Sequence, residues 1–320
     1  MPADPTAASM RAAAADLLAA LDDGQRELAA LPFGNEALRR WLEYRPEPRP
    51  GACLALATPA ARKAAHRLLA TGLSDHAFAQ AMVITALEEV LDHMERGRLG
   101  RHSGNYSVCV FGNPAADEPW SWRFEGHHVS VTMTVLGDQV SPAPVFLGAH
   151  PACVSYAGRP VSRPLAPEED LARALLDALG PAGRSAAVVA DQAPYDIRSA
   201  TSPRAQSVLE PYGVAASALS PTARAALDQL VAVYLDRLAP PIAAHEAARV
   251  ASSELHFAWE GPLTPGTRHY YRVQGDDLLL EYDSTDDDGD HAHTVLRRPR
   301  SDFGADILAA HYLEAHAPAG

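Results

Sequence analysis

Apolar residues recur at helical spacing over residues 7–31, where Leu17, Leu18, Leu21 and Leu28 share one face. A proline-rich connector follows at 45–51. Helical spacing returns over 58–70 and 75–96. The second of these carries Phe78, Met82, Ile84, Leu87 and Leu91 and stops at Arg96, Gly97 and Arg98. The first hundred residues therefore predict an all-helical region. The period then drops to two. Tyr106–Phe111 predicts a strand ended by Gly112, Asn113 and Pro114, and residues 120–135 predict one or two more. Gly137 and Asp138 turn into a segment over 139–147 whose Pro142 and Pro144 mark a sheet edge. A second helical block spans about 166–249; Ser220 and Pro221 suit the start of one of its helices. Strands are expected again near 253–260, 268–274, 277–283 and 291–296, then a last helix over 303–313.

This order lacks the regular βαβ alternation of a doubly wound fold. It predicts an α+β fold with a mostly antiparallel sheet, built from two separated strand blocks and flanked by helices. One domain is expected over 1–320: a helical region (1–100), a first strand block (101–150), a helical block (160–250), and a second strand block with the C-terminal helix (251–320).

Composition narrows the function classes. The chain has 320 residues, 47% of them hydrophobic and 21% charged, which suits a packed core. A formal charge of −13 argues against nucleic acid as a partner, since phosphates are bound by basic surfaces. The N-terminus lacks a basic segment before an apolar core, and no run of eighteen apolar residues occurs. Neither a signal peptide nor a membrane span is expected. Cys53, Cys109 and Cys153 form no CxxC pair and are expected to be buried and reduced in a cytoplasmic protein. A small molecule is then the expected partner.

The chain holds fourteen histidines. His66, His76, His93, His245 and His316 fall in helical or terminal segments and are expected to be incidental. The others lie in or beside the strand blocks. Over 120–135, Trp120, Trp122 and Phe124 occupy even positions, whereas Val129, Val131, Met133 and Val135 occupy odd ones. One regular strand would put these sets on opposite faces. A bulge at Gly126 is the expected repair; a hairpin turn with solvent-facing polar residues is the plainer alternative. The shift of parity at the bulge groups Arg123, Glu125, His128, Ser130 and Thr132. Glu125 and His128 thereby become candidate catalytic acid and base, with Arg123 beside them.

A second cluster comprises Glu281, Tyr282 and Asp283, followed by His291 and His293. Alternation puts both histidines on one strand face, able to offer two imidazoles to one ion. A carboxylate from the next strand, Glu281, completes a two-histidine, one-carboxylate set with open positions. Adding His127 or His128 gives three histidines, as zinc and copper sites use. The acidic stretch 284–290 has a calcium-loop look but lacks the closing glutamate and helix of an EF-hand. Asp302, Phe303 and Gly304 repeat a kinase tripeptide without the other kinase motifs, so Asp302 is expected to cap the last helix. No G-x-S-x-G, H-E-x-x-H, Walker loop or G-x-G-x-x-G occurs.

The string from Trp120 to Ser130, WSWRFEGHHVS, resembles the signature of a bacterial family catalogued as domain of unknown function 3500. So do Phe111-Gly112-Asn113-Pro114, Phe146-Leu147-Gly148-Ala149, His256-Phe257-Ala258-Trp259, His269-Tyr270-Tyr271-Arg272 and the Glu281-to-His293 segment. The connector 41–51, Leu87-Glu88-Glu89-Val90-Leu91 and His311-Tyr312 fit as well, so the resemblance spans roughly 40–313. It implies a shared architecture and assigns no activity. Relative to the family, this chain has an acidic rather than asparagine-rich loop before His291, and His150 where asparagine is usual.

The expected function is a metal-dependent enzyme acting on a small molecule. His291, His293, His127 and Glu281 are the metal candidates, with iron, copper or zinc as the ion. Trp120, Trp122, Tyr271 and Arg272 are expected to hold substrate. Iron or copper implies oxygen-dependent oxidation, the favoured class; zinc implies hydrolysis. A metal-free acid–base enzyme and a metal-free binding module are the alternatives.

Overall fold

A computed structural model describes residues 5–284 and 289–315. The fold is α+β. Eight long strands form the body of one mixed sheet: β1 (Tyr106–Phe111), β2 (Trp120–Gly126), β3 (Val129–Leu136), β4 (Val145–Ala149), β5 (His256–Glu260), β6 (His269–Gly275), β7 (Leu278–Ser284) and β8 (Ala292–Arg297). Their spatial order is β1-β2-β3-β4-β8-β7-β6-β5. With its short strands the sheet counts thirteen among the described residues.

The sheet is mixed, where a mostly antiparallel one is expected. Ala30–Leu31 runs parallel to β1 at one end, and Val188–Ala190 runs parallel to β5 at the other. A parallel neighbour needs a long crossover, and helical stretches supply it on both sides. The all-helical first hundred residues are likewise interrupted by two-residue strands at Ala30–Leu31 and Ala52–Cys53. The helix over 7–31 is two helices, Pro5–Ala20 and Asp23–Ala29. Asp22 breaks it by accepting a hydrogen bond from the Gln25 amide (2.8 Å) and capping the second. Asp302 does not cap the last helix. Its carboxylate is buried and accepts from Arg297 Nε (2.7 Å) and the Arg298 amide (2.9 Å).

Strand register divides the sheet into two unlike faces. One carries Trp122 opposite Met133, Phe124 opposite Val131, Val129 opposite Leu147, and Tyr271 opposite Tyr282. Helices cover it. Gly72 of helix Pro59–Gly72 packs so closely on Trp122 that a Cβ there would lie 2.9 Å from the indole. Tyr271 on this face meets Tyr234 of helix Pro221–Leu235, hydroxyl to hydroxyl at 2.8 Å. This is the apolar core, and burying it is the main drive to fold.

The other face carries Arg123, Glu125, Ser130, Asp283, Glu281, Arg272, Arg297 and His293, all buried. Two stretches cover it: the connector from about 36 to 50, irregular after the short helix Glu36–Arg39, and the irregular segment from 191 to 211. Buried irregular backbone must find hydrogen-bond partners, and the polar face supplies them. Arg123 donates to the Leu38 (2.7 Å) and Trp41 (3.2 Å) carbonyls, and Glu125 accepts from the Glu43 amide (2.9 Å). Glu281 accepts from the Arg198 amide at 2.6 Å. Tyr44 stacks on Phe146 (centroids 4.0 Å apart), and both join Leu42, Ile197 and Val295 in a small second core. No helix among the described residues is long and apolar enough to cross a membrane.

Candidate metal centre

The two strand blocks meet where β4 pairs with β8, and the histidines of both gather at that seam. Gly126 forms no bulge. It pairs with Val129 to close a hairpin whose turn is His127 and His128. The hairpin gives the same parity as a bulge, but its turn is buried rather than solvent-facing. Gly126 is required because the Tyr106 ring lies over it; a Cβ would come within 2.0 Å of that ring. Tyr106 then donates its hydroxyl proton to the His127 carbonyl (2.7 Å). His128 adopts φ +63°, a left-handed conformation that histidine tolerates better than bulky residues. Its amide donates to Tyr44 O (3.0 Å), and its carbonyl accepts from Gly148 N (2.7 Å). A Cβ on Gly148 would lie 2.9 Å from the His128 ring, so that neighbour too is kept bare.

These constraints drive the His128 ring towards β8. His128 Nε2 and His291 Nε2 are 2.9 Å apart. The His293 ring lies 5.3 Å from that of His128 and 4.6 Å from that of His291, centroid to centroid. Each of the three offers a ring nitrogen, and those atoms lie within 4.8 Å of one another. His127 stacks on His128 (3.7 Å) and His150 on His291 (4.5 Å). His128 and His293 are buried; His291 and His150 are half-buried and form the outer side.

The three rings differ in protonation. Burial, then the neighbouring imidazoles, hold His128 well below the ordinary histidine range. Burial and the His293 charge push His291 down to about 2. Two unprotonated rings with facing nitrogens form an electron-pair donor set. His293 is the opposite case. Burial works against its charge, but Asp283 and Asp196 overrule it and hold its pKa up at about 10. Its Nδ1 donates towards Asp196 (3.1 Å) and Asp283 (3.2 Å), so an ion binding at Nε2 must displace the proton there. A carboxylate behind a histidine in this way fixes tautomer and ring orientation at metal sites. Glu88, from helix Asp75–Met94, holds His127 Nδ1 in the same manner, with Arg101 Nη1 also 3.2 Å from that nitrogen.

Other sequence candidates lie elsewhere. Glu281 stays outside the histidine cluster, its carboxylate engaged by Arg198 N, Ser199 N and the Tyr270 hydroxyl. Glu125 and Arg123 bind connector backbone as described. Trp120 and Trp122 lie in the apolar core. Tyr271 faces that core too, whereas Arg272 faces the polar side and pairs with Glu260 at 2.7 Å. Cys109 is buried, but Cys53 and Cys153 are partly exposed; all three are free. His316, and residues 285–288 of the acidic stretch, lie outside the described residues.

A family model described as "Protein of unknown function (DUF3500)" matches residues 3–305. The chain belongs to the DUF3500 family. No curated protein and no solved structure matches it. The DUF3500 match takes in both strand blocks and the helix bearing Glu88. Sequence reasoning missed Glu88, Asp196, Tyr44 and Arg101. Glu88 had a visible signal, a carboxylate between Ile84 and Leu91 on the buried stripe of its helix. Asp196 had none, because its segment shows no periodicity.

Proposed function

We propose that the protein is a metal-dependent enzyme acting on a small molecule, with copper or iron held by His128, His291 and His293 and oxygen-dependent oxidation as its reaction. The convergence of three imidazoles, two kept unprotonated and the third backed by two carboxylates, carries this reading. Two nitrogens bound at right angles to one ion at ~2.0–2.1 Å would lie about 2.9 Å apart, and in a tetrahedron about 3.3 Å apart. His128 and His291 Nε2 are 2.9 Å apart, the distance at which one ring donates to the other when no ion is bound, and also compatible with both nitrogens reaching one ion. One observation favours zinc hydrolysis as the second reading: the set is all imidazole, with the carboxylates behind it rather than in it. Three free cysteines fit a reducing, cytoplasmic setting.

The test is elemental analysis of protein purified without a histidine tag, before and after incubation with iron(II), copper(II) or zinc. About one equivalent of metal, lost in His291→Ala/His293→Ala, is expected. Oxygen uptake by the loaded protein with candidate substrates separates oxidation from hydrolysis. A protein that takes up none of the three metals refutes the reading and leaves a metal-free enzyme or binding module.

A further inference from the structure

The proline-rich connector also lines a cleft on its outer side. With residues 99–101 and the start of β1 it bounds a cleft of about 470 Å³, lined by Glu47, Arg49, Cys53, Glu88, Arg101 and His127 among others. That volume lies in the ~300–1,000 Å³ range of small-molecule sites. Glu88 and His127 form its wall towards the metal centre, and their ligand atoms lie within 4.8 Å of a ring nitrogen of His128. Arg49 is half-buried on the other side. It makes no ion pair among the described residues; its donors end on the carbonyls of Glu43 (3.3 Å), Glu47 (3.2 and 3.1 Å) and Arg45. Those carbonyls take four of its five N–H donors, and Glu125 and Glu43 lie close enough to attract its charge; one Nη1 hydrogen is left over, available to an anion in the cleft. Prolines at 46, 48 and 50 limit the backbone freedom of the segment and present Arg49 ready-placed. Arg101 lies in the same wall, its Nε and Nη2 forked on Glu95 and its Nη1 turned to His127.

We propose that this cleft binds an oxyanion, a carboxylate or a phosphate group, through Arg49. Its role as the substrate's anchor rests on the metal-enzyme reading above; the oxyanion site itself does not.

Cys53 lines the cleft and is partly exposed, so it reports occupancy. The experiment alkylates metal-stripped protein with iodoacetamide and follows Cys53 by peptide mass spectrometry, with succinate, inorganic phosphate or neutral succinamide present. A ligand at ten times its dissociation constant slows alkylation about tenfold. Protection by succinate or phosphate but not by succinamide, lost in Arg49→Gln, is the expected result, and the two anions decide which oxyanion fits. Failure of both anions to protect, equal protection by succinamide, or unchanged protection in Arg49→Gln overturns the proposal. If Arg49→Gln does not fold, the wild-type comparison of succinate with succinamide decides alone. Protection without metal uptake keeps the oxyanion site and refutes the metal reading; metal uptake without protection does the reverse.

Discussion

Replacing Gly126 by alanine tests how the hairpin places His128. The new Cβ would lie 2.0, 2.2 and 2.5 Å from three carbons of the Tyr106 ring. Carbon atoms pack at about 3.5–4.0 Å, so the ring must move by roughly 1.5 Å. It cannot do so freely. It packs against Phe124 with centroids 5.7 Å apart, and its hydroxyl is bonded to the His127 carbonyl. Overpacking costs about 1–3 kcal/mol, and leaving that buried hydrogen bond unmade costs about 1–3 kcal/mol more. Together they lower the melting temperature by roughly 3–9 °C for a domain of this size. The turn bearing both histidines shifts with the ring, so metal retention should weaken in parallel. The assay is a thermal melt of Gly126→Ala, Tyr106→Ala and the double variant, read as a cycle. Once the ring is gone, the glycine substitution should cost almost nothing. A Gly126→Ala protein that melts like wild type, or a double variant whose losses simply add, refutes the claim that the glycine is a seat for Tyr106.

Asp283→Asn removes a carboxylate behind His293 and should lower metal affinity about 10–100-fold, read by competition with a chelator, with full stoichiometry at saturating metal. Glu281→Ala orphans the Arg198 and Ser199 amides and the Tyr270 hydroxyl, so it should cost about 3 kcal/mol in denaturant titration yet leave metal stoichiometry unchanged; loss of the metal with the fold intact would return Glu281 to the ligand set. In metal-free protein His291 and His293 act with opposite sign. His293, raised from 6.5 to about 10, stabilises fully below pH 6.5 and loses that contribution as pH rises through 10. His291, depressed from 6.5 to about 2, takes no proton in the folded state while the unfolded chain does, so stability falls as pH drops from 6.5 towards 2. His291→Asn should flatten the acid limb of melting temperature against pH and leave the alkaline limb in place; an unchanged acid limb would contradict the burial argument.

The long strands were legible because one face of the sheet is apolar and the other polar, so residue type alternates although both faces are buried. Tyr106–Phe111 and the four strands from His256 to Arg297 fall within a few residues of their expected bounds. Parity over 120–135 revealed that Arg123, Glu125, Ser130 and Thr132 share a face, but it could not separate a bulge from a hairpin. Both shift the register by one, and the deciding contact, Tyr106 on Gly126, comes from another strand. His291 and His293 were legible as a pair for the same reason. Their partners were not. Asp196 and Tyr44 lie in stretches without periodicity, and their position follows only from the sheet they cover. The assignment of substrate contacts to Trp120, Trp122 and Tyr271 followed residue type, whereas alternation alone already turns them to the helix-covered face.

The polar face explains why so many charged side chains near the site are no part of it. A sheet covered by irregular chain must satisfy that chain's amides and carbonyls, and acidic and guanidinium groups do this well in a buried setting. Arg123, Glu125, Glu281 and Arg272 are each engaged by the backbone of the connector or of residues 191–211. Their burial and perturbed surroundings therefore resemble those of catalytic groups while their hydrogen bonds are structural. His128 and His291 differ in one respect: their Nε2 atoms meet each other instead of a backbone donor. Burial and neighbouring charge keep both rings unprotonated, so the pair keeps lone pairs that an ion could use. That pairing, rather than the number of histidines, marks the candidate centre.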